Sequence, residues 1–262
     1  MLRTRVITSV VSLLVIGVVL FALPTQIAEL VIGLLILAGA WEWCGFIEFR
    51  STASRIAYVV LIAALCAIPY VVVPETAGLT LKIAFVWWFA AFVWTFFYPT
   101  PIPSGVRWIC GALVLVPLYV ALVLLFRLGP GYLLFALLIV WAADAGAYFF
   151  GKRFGRVKLA PQISPGKTWE GAIGGLAVVL VLAPIAAQWA DVRIAVLLPF
   201  CLAVAALSIV GDLTVSMFKR TAGVKDSGTL FPGHGGVLDR VDSVAAAAPL
   251  FALGLHWLGL IQ

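Results

Sequence analysis

The sequence predicts an all-α protein that crosses a membrane many times, and two observations support that prediction. Of the 262 residues, 64% are apolar and only 11% are charged, and the mean hydropathy is +1.17. A water-soluble domain has about a quarter charged residues, so this composition cannot cover a soluble surface. The apolar residues also occur in runs of about 20, the length at which a helix crosses a bilayer core. Inside lipid such long runs satisfy their own backbone as helices and not as barrel strands.

We predict about nine transmembrane helices from these apolar runs. In chain order the runs cover residues 7–23, 27–47, 56–74, 80–98, 107–126, 131–151, 170–189, 194–218 and 237–260. The first run follows Arg3 and Arg5, which gives it some likeness to a secretory signal. It is longer than a typical signal core, and no small-residue cleavage site follows it before the second run. We therefore predict that it stays in the protein as the first helix.

Lys and Arg are distributed unevenly between the two ends of the predicted helices. With a cytoplasmic N-terminus, fourteen of the 17 lie on the cytoplasmic side, and Lys82, Arg127 and Arg193 lie on the other side. This asymmetry follows the positive-inside rule, so we predict a cytoplasmic N-terminus in a cell membrane, with a bacterial inner membrane favoured. The net charge of +6 then belongs to a membrane face that attracts anionic lipids, and it does not indicate a nucleic-acid partner.

The chain changes in character near residue 130. Residues 1–130 are apolar runs with short loops, and we predict a scaffold there that contacts lipid or a second copy of the chain. Residues 131–262 contain most of the acidic residues, and we predict the catalytic region there, with cytoplasmic loops at 152–169 and 219–236. Glu42 lies near a predicted helix end, where an interfacial position accounts for it without a function.

Four aspartates lie inside predicted helices, where an ionisable side chain costs about 2.5–3.5 kcal/mol. Asp144 and Asp212 each stand about 10 Å below the cytoplasmic end of their helices, and Asp239 and Asp242 enter the same leaflet from the last helix. A single aspartate is readily explained by a structural ion pair. Four at one depth, beside the Gly-rich residues 223–236, indicate a functional site.

The residue types at this level suit a nucleoside triphosphate bound with a metal ion. Carboxylate oxygens are ligands for Mg²⁺, which usually binds together with phosphate oxygens, and Lys and Arg bind phosphate directly. Glycines allow a backbone to approach a ligand closely. Gly166-Lys167-Thr168 resembles the end of a Walker A loop, but Pro161 stands where its first Gly belongs, so we predict no P-loop.

Residues 216–242, here called the signature segment, resemble the signature of the phosphatidate cytidylyltransferase family. The matching positions are Ser216, Lys219, Arg220, Lys225, Asp226, Gly228, Phe231, Pro232, His234, Gly235, Gly236, Asp239, Arg240 and Asp242. Residues 144–148, 151–152 and 164–171 are similar to a second conserved stretch of that family. The resemblance implies that CTP and phosphatidate react to give CDP-diacylglycerol and pyrophosphate. It also implies a cytoplasm-facing, Mg²⁺-dependent site with a second cation, in a homodimer.

From this resemblance and the residue types we predict individual roles in an in-line attack on the α-phosphorus of CTP. Because phosphatidate is already an anion, the reaction needs positioning and charge neutralisation more than a general base. We expect Asp212 and Asp239 to be the principal cation ligands, with Asp144 and Asp242 as additional ones. The residues predicted to hold the phosphates of CTP and the lipid are Lys167, Lys219, Arg220 and Lys225.

Further substrate contacts are predicted for Ser164, Ser216, Asp226, Gly228, His234, Gly235, Gly236 and Arg240. Two of these assignments have open alternatives. Arg240 either contacts phosphate or orients a carboxylate, and Asp226 either contacts a ligand or caps the Gly-rich turn. For His234, a hydrogen bond to phosphate or backbone is favoured over proton transfer.

Two other functions compete with this prediction. A CTP-dependent lipid-alcohol kinase would transfer the γ-phosphoryl group and release CDP in place of pyrophosphate. A cation or proton transporter would also carry aspartates inside its helices, but near the midplane and with access from both sides. The position of all four aspartates in one leaflet argues against a transporter.

Overall fold

The computed structural model describes residues 2–49, 51–69, 76–190, 192–231 and 235–258. Within those ranges it contains nine helices, α1 (Leu2–Phe21), α2 (Thr25–Ile47), α3 (Thr52–Ala67), α4 (Thr76–Thr95), α5 (Ser104–Leu128), α6 (Pro130–Phe154), α7 (Trp169–Ala190), α8 (Ile194–Thr221) and α9 (Leu238–Trp257). Each predicted apolar run corresponds to one of them. The predicted run ends at 70–74 and 259–260 lie outside the described residues.

Six of the nine described helices, α2 and α4 to α8, are long and apolar enough to cross a membrane. The prediction of a polytopic α-helical membrane protein is therefore confirmed. Local sequence sets several of the helix ends. Proline residues 24 and 103 stand at the N-caps of α2 and α5, and Pro130 begins α6 directly after Gly129. The Ser51 hydroxyl accepts a hydrogen bond from the Ser54 N–H and so caps α3.

Helices α2 and α5 run antiparallel and are joined by an ion pair at each end. Glu48, at the carboxyl end of α2, lies 2.8 Å from Arg107 in the first turn of α5. Glu29, near the other end of α2, pairs with Arg127 in the last turn of α5. The two pairs show that the amino end of each helix lies beside the carboxyl end of the other.

Several helix ends with polar side chains meet at one end of the bundle. Glu42, near the carboxyl end of α2, accepts a hydrogen bond from the backbone of Val237 at the start of α9. Trp94, near the carboxyl end of α4, packs on Phe218 near the carboxyl end of α8. The carboxyl ends of α2, α4 and α8 therefore lie beside the amino end of α9, as expected for helices that alternate in direction.

Small residues allow α6 and α7 to pack very closely. A Cβ atom on Gly146 would lie 2.9 Å from the Gly175 Cα, and one on Gly171 would lie 2.9 Å from the Ala147 carbonyl oxygen. Close approach through small side chains is a common way to associate helices in lipid, where no hydrophobic driving force acts between them. The packing brings Asp144 on α6 next to the start of α7.

The segment between α6 and α7, which lies within the predicted cytoplasmic loop 152–169, contains regular structure that the sequence did not predict. Helix α6 continues to Phe154, and strands β1 (Lys158–Ala160) and β2 (Ser164–Thr168) pair antiparallel as a hairpin. The hairpin is held by its surroundings, because the Glu170 carboxylate accepts the Val157 N–H and Arg220 donates to the Ile163 carbonyl. Strands this short have too little periodicity to be recognised from sequence.

Candidate active site

A cleft of about 420 Å³ opens between α6, α7, α8 and the hairpin, and it contains charged side chains from α6, α8 and the hairpin. Asp144 and Lys152 come from α6, Lys167 from β2 and Asp212 from α8. The Thr168 hydroxyl caps α7 by accepting the Gly171 N–H at 3.1 Å, which fixes the strand that carries Lys167 against the helix start. Acidic and basic groups thus face one another across a single polar cleft.

Lys167 and Asp212 form an ion pair in the wall of this cleft. Lys167 Nζ lies 2.6 Å from Asp212 Oδ2, and about a quarter of each side chain is exposed. The other oxygen of Asp212 accepts a hydrogen bond of 3.1 Å from the Ser216 hydroxyl. Asp212 and Ser216 share a helix face because they are four residues apart, as the sequence predicts.

A second group of charges lies where α8 meets α9. Lys219 Nζ is 2.7 Å from Asp239 Oδ1 and 3.6 Å from Asp242 Oδ2, and the Lys219 side chain is only 8% exposed. A buried ammonium needs such partners, since an unpaired charge in the interior is very costly. The Lys219 ammonium therefore pairs with two aspartates, and its single positive charge offsets only part of their combined negative charge.

The two charged groups lie beside each other where α8 packs on α9. A Cβ atom on Gly211, the neighbour of Asp212, would lie 2.5 Å from the Asp242 carbonyl oxygen, and Asp144 lines the same cleft as Asp212. The convergence of all four aspartates, predicted from their depth in the helices, is thus present in the fold. Asp144 and Asp212 line the cleft itself, whereas Asp239 and Asp242 are bound to Lys219.

The oxygen ligands in the cleft fit Mg²⁺. This ion typically binds one or two carboxylates together with waters and substrate phosphates, and Asp144 and Asp212 provide two carboxylates in one wall. Over the part of the chain that the structure describes, no three Asp, Glu, His or Cys side chains form a ready-made metal cage.

Asp239 organises the loop between α8 and α9, residues 222–237, here called the signature loop. Its Oδ2 accepts hydrogen bonds from the Ser227 N–H at 2.8 Å and the Gly236 N–H at 2.9 Å. The Ser227 hydroxyl lies 3.0 Å from the same oxygen, and Lys219 occupies Oδ1. In this arrangement both oxygens of Asp239 have donors, so Asp239 binds a metal ion only if Lys219 moves away from Oδ1.

The sequence profile of the cytidylyltransferase family matches residues 3–258. The chain belongs to the cytidylyltransferase family. It is 43% identical to a phosphatidate cytidylyltransferase of Pseudomonas aeruginosa over 266 residues, which cover 98% of this chain and 97% of the relative. A phosphatidate cytidylyltransferase of Haemophilus influenzae is 37% identical over 285 residues, covering 96% and 98%. One from Staphylococcus saprophyticus is 48% identical over 124 residues, covering 47% of this chain and 48% of the relative.

These matches confirm the family that the signature segment indicated. The protein is a nucleotidyltransferase of this family. None of the described residues of the signature segment lines the cleft of this cytidylyltransferase. Arg220 donates hydrogen bonds to the carbonyl oxygens of Ile163 and Val224, and so ties the hairpin to the signature loop. Lys225, Asp226 and Arg240 are exposed.

The remaining predicted positions of the cytidylyltransferase are placed as follows. Ser164 begins β2 opposite Ala160 and is partly buried. Gly228 and Gly236 pack against the carboxylate of Glu42, and Gly235, at φ 78°, packs against that of Asp239. His234 lies outside the described residues.

Sequence reasoning missed two residues of this site. The sequence analysis assigns no role to Ser227, and it explains Glu42 by an interfacial position. In the cytidylyltransferase fold the Glu42 carboxylate contacts the signature loop and the start of α9. The signal was present, because Glu42 is an ionisable residue inside an apolar helix, the same property that singled out the four aspartates.

Proposed function

We propose that this cytidylyltransferase transfers the cytidylyl group of CTP to phosphatidate, giving CDP-diacylglycerol and pyrophosphate. The observation that carries the proposal is the polar cleft with Asp144, Lys152, Lys167 and Asp212 at one end of an otherwise apolar helix bundle. A triphosphate needs cations and metal-binding carboxylates together, and a lipid substrate needs access from the bilayer. Relatives that match this chain over almost its whole length are named for the same reaction.

The surroundings of the cleft suit a lipid phosphate. Tyr148 lines the cleft, and the neighbouring Phe149 on α6 and Ile173 on α7 point outward with 67% and 63% of their surface exposed. Apolar side chains on the outside of a membrane bundle face acyl chains. Phosphatidate would therefore enter laterally, with its acyl chains in the bilayer and its phosphate in the cleft.

The reaction is an exchange at the α-phosphorus of CTP. A phosphate oxygen of phosphatidate attacks the α-phosphorus, the bond from that phosphorus to the bridging β-phosphate oxygen breaks, and pyrophosphate leaves with the electron pair. No proton has to be removed from the attacking oxygen. The residues of the cleft act by alignment and charge, because the ammonium groups of Lys152 and Lys167 neutralise phosphate oxygens as they approach one another.

Mg²⁺ belongs to this proposal, together with a second cation. Asp144 and Asp212 would hold Mg²⁺, which when bound neutralises charge on the triphosphate. In the structure Lys167 pairs with Asp212, and a phosphate group would compete for that ammonium and leave Asp212 free as a ligand. Asp239 and Asp242 are proposed as ligands of the second cation, in exchange for Lys219.

The placement in the membrane is proposed from charge and helix direction. We place the N-terminus and the cleft on the cytoplasmic side of a bacterial inner membrane, with nine crossings, because fourteen of the 17 Lys and Arg lie toward that side. Residues 1–130 act as scaffold and homodimer region and 131–262 as the catalytic region. The contacts of Glu42 mean that the scaffold also supports the catalytic end.

The decisive experiment uses detergent-purified protein and CTP labelled at either the α- or the γ-phosphorus. With phosphatidate, α-label should enter the chloroform-soluble product and γ-label should appear as pyrophosphate, in equal amounts. A lipid-alcohol kinase gives the reverse, with γ-label in the lipid and α-label in CDP, when a lipid alcohol replaces phosphatidate. Transfer of γ-label to lipid would refute the proposed function.

A further inference from the structure

Glu42 is the acidic side chain that connects the first half of the chain to the catalytic end. It lies on α2, five residues before the helix ends at Ile47, and is partly buried. Its Oε1 accepts a hydrogen bond of 2.8 Å from the Val237 N–H, and its Oε2 accepts one of 2.9 Å from the Leu238 N–H. The Ser227 hydroxyl lies 2.7 Å from Oε2. One carboxylate therefore binds three donors in a segment almost 200 residues away in sequence.

The contact takes the place of a helix cap. Helix α9 begins at Leu238 with Val237 at the N-cap position, and a valine side chain has no oxygen that could accept the free N–H groups there. Glu42 accepts two of them and places negative charge at the positive end of the helix dipole. The start of α9, which carries Asp239 and Asp242, is thus held by α2.

The signature loop is shaped around this carboxylate. A Cβ atom on Gly228 would lie 2.6 Å from Glu42 Oε1 and 2.9 Å from its Cδ, with Glu42 atoms as all three of its nearest neighbours. A Cβ atom on Gly236 would also collide with both Glu42 oxygens. These two glycines of the signature segment are required by the approach of Glu42, which explains them without a ligand.

A continuous chain of contacts leads from Glu42 to the aspartates. The Ser227 hydroxyl lies between Glu42 and Asp239. Its oxygen is 2.7 Å from Glu42 Oε2 and 3.0 Å from Asp239 Oδ2. Asp239 binds Lys219, and Lys219 also reaches Asp242. Loss of the Glu42 carboxylate would release both the signature loop and the start of α9. The positions of Asp239 and Asp242 relative to Lys219 would then no longer be fixed.

We propose that Glu42 is a positioning residue for the transfer reaction, holding the signature loop and the first turn of α9 so that Lys219, Asp239 and Asp242 keep their arrangement. This inference rests on the proposed function, but its structural part can be tested without it. Glu42 does not line the cleft that contains Lys167 and Asp212. Its loss should therefore act on turnover more than on CTP binding.

The first test compares Glu42→Gln with Glu48→Gln, a change directly after the same helix at an exposed glutamate that pairs with Arg107. Gln cannot accept all three hydrogen bonds, because one of its terminal atoms is a donor that faces a donor. We expect kcat to fall roughly 10- to 150-fold in Glu42→Gln with the KM for CTP changed less than about threefold, and neither to change in Glu48→Gln. A kcat within twofold of wild type would overturn the inference.

The second test measures amide hydrogen exchange in the same purified variants. The N–H groups of Val237 and Leu238 should exchange roughly 10- to 150-fold faster in Glu42→Gln, while the hairpin at residues 158–168 keeps its wild-type rates. Unchanged exchange at the start of α9 would overturn the inference, as would acceleration throughout the protein. A wild-type protein that forms no CDP-diacylglycerol would refute only the proposed function, because the exchange measurement needs no turnover.

The third test is a double-mutant cycle on Gly228, whose added methyl group would collide with Glu42. Gly228→Ala alone should impair kcat, and in a Glu42→Ala background it should add almost no further loss, since the obstructing carboxylate is gone. In a Glu48→Ala background its effect should remain complete. Additive losses for Glu42 and Gly228 would contradict the proposed contact. Failure of Glu42→Ala to fold while Glu48→Ala folds would show a purely structural role and also overturn the inference.

Discussion

Lys167 of the hairpin and Asp212 of α8 are joined in the cleft wall, with Nζ 2.6 Å from Oδ2. The pair brings together the side chain that we propose to bind phosphate and the side chain that we propose to bind Mg²⁺. Its direction is fixed from both sides, because Thr168 caps α7 next to Lys167 and Ser216 donates to Asp212. The basic residues of the hairpin are therefore not equivalent.

We predict that Lys167→Ala reduces kcat/KM far more than Arg156→Ala or Lys158→Ala. Arg156 and Lys158 are exposed and do not line the cleft, so their contribution is limited to the general positive charge of the face. Loss of one charge-assisted phosphate contact should cost about 1.5–3 kcal/mol, roughly 10- to 150-fold in rate. Initial rates of CDP-diacylglycerol formation measure the effect. Equal, modest losses in all three variants would reduce the hairpin to a source of net charge.

We predict that Asp212→Asn and Asp144→Asn each raise the Mg²⁺ concentration needed for half-maximal activity. An amide oxygen is a weaker ligand than a carboxylate, and both side chains line the cleft in which a metal-bound triphosphate would lie. The Mg²⁺ concentration for half-maximal activity should rise about tenfold or more. Loss of a residue that only hydrogen-bonds a metal ligand already lowers metal affinity or activity by about 10- to 100-fold. Glu48→Gln, in the α2–α5 ion pair, serves as the control and should keep the wild-type Mg²⁺ dependence. An unchanged Mg²⁺ dependence in both aspartate variants would remove these ligands from the proposal.

The sequence was sufficient for the helices and for the level of the aspartates, because both depend on local properties. A run of apolar residues long enough to cross the bilayer is a helix wherever its neighbours lie, and the depth of Asp144 follows from its distance to the helix end. These properties need no knowledge of which helices touch.

The hairpin and the role of Glu42 could not be read in the same way, because they depend on contacts between distant segments. The carboxylate of Glu42 bonds Leu238, 196 residues further along the chain, and the hairpin is held by Arg220 of α8. The sequence identified Gly228 and Gly236 as part of the signature, but it did not show why glycine is needed at these positions. They were assigned to a ligand, whereas the neighbouring group is a side chain of the protein itself.

We predict that single cysteines at positions 158 and 193 are labelled from opposite sides of the membrane. Lys158 begins the hairpin after α6, and Arg193 precedes α8, so one crossing, α7, separates them. The native Cys44, Cys66, Cys110 and Cys201 are buried, so background labelling should be low. In intact cells a membrane-impermeant maleimide should react with Arg193→Cys and reach Lys158→Cys only after lysis. Labelling of both in intact cells would overturn the proposed topology.

We predict that Lys219→Met destabilises the protein strongly, whereas Lys225→Met leaves its stability unchanged. The Lys219 ammonium is buried between Asp239 and Asp242, and its removal leaves two carboxylates without their cation, while Lys225 is exposed. Breaking a buried pair from one side costs about 3–5 kcal/mol, which corresponds to a fall in melting temperature of roughly 6 to 20 °C. Thermal unfolding in detergent measures this fall.

Adding Asp239→Asn to Lys219→Met should restore part of the loss, because one uncompensated charge disappears. A double variant less stable than Lys219→Met would show that the hydrogen bonds of Asp239 to the signature loop outweigh its charge.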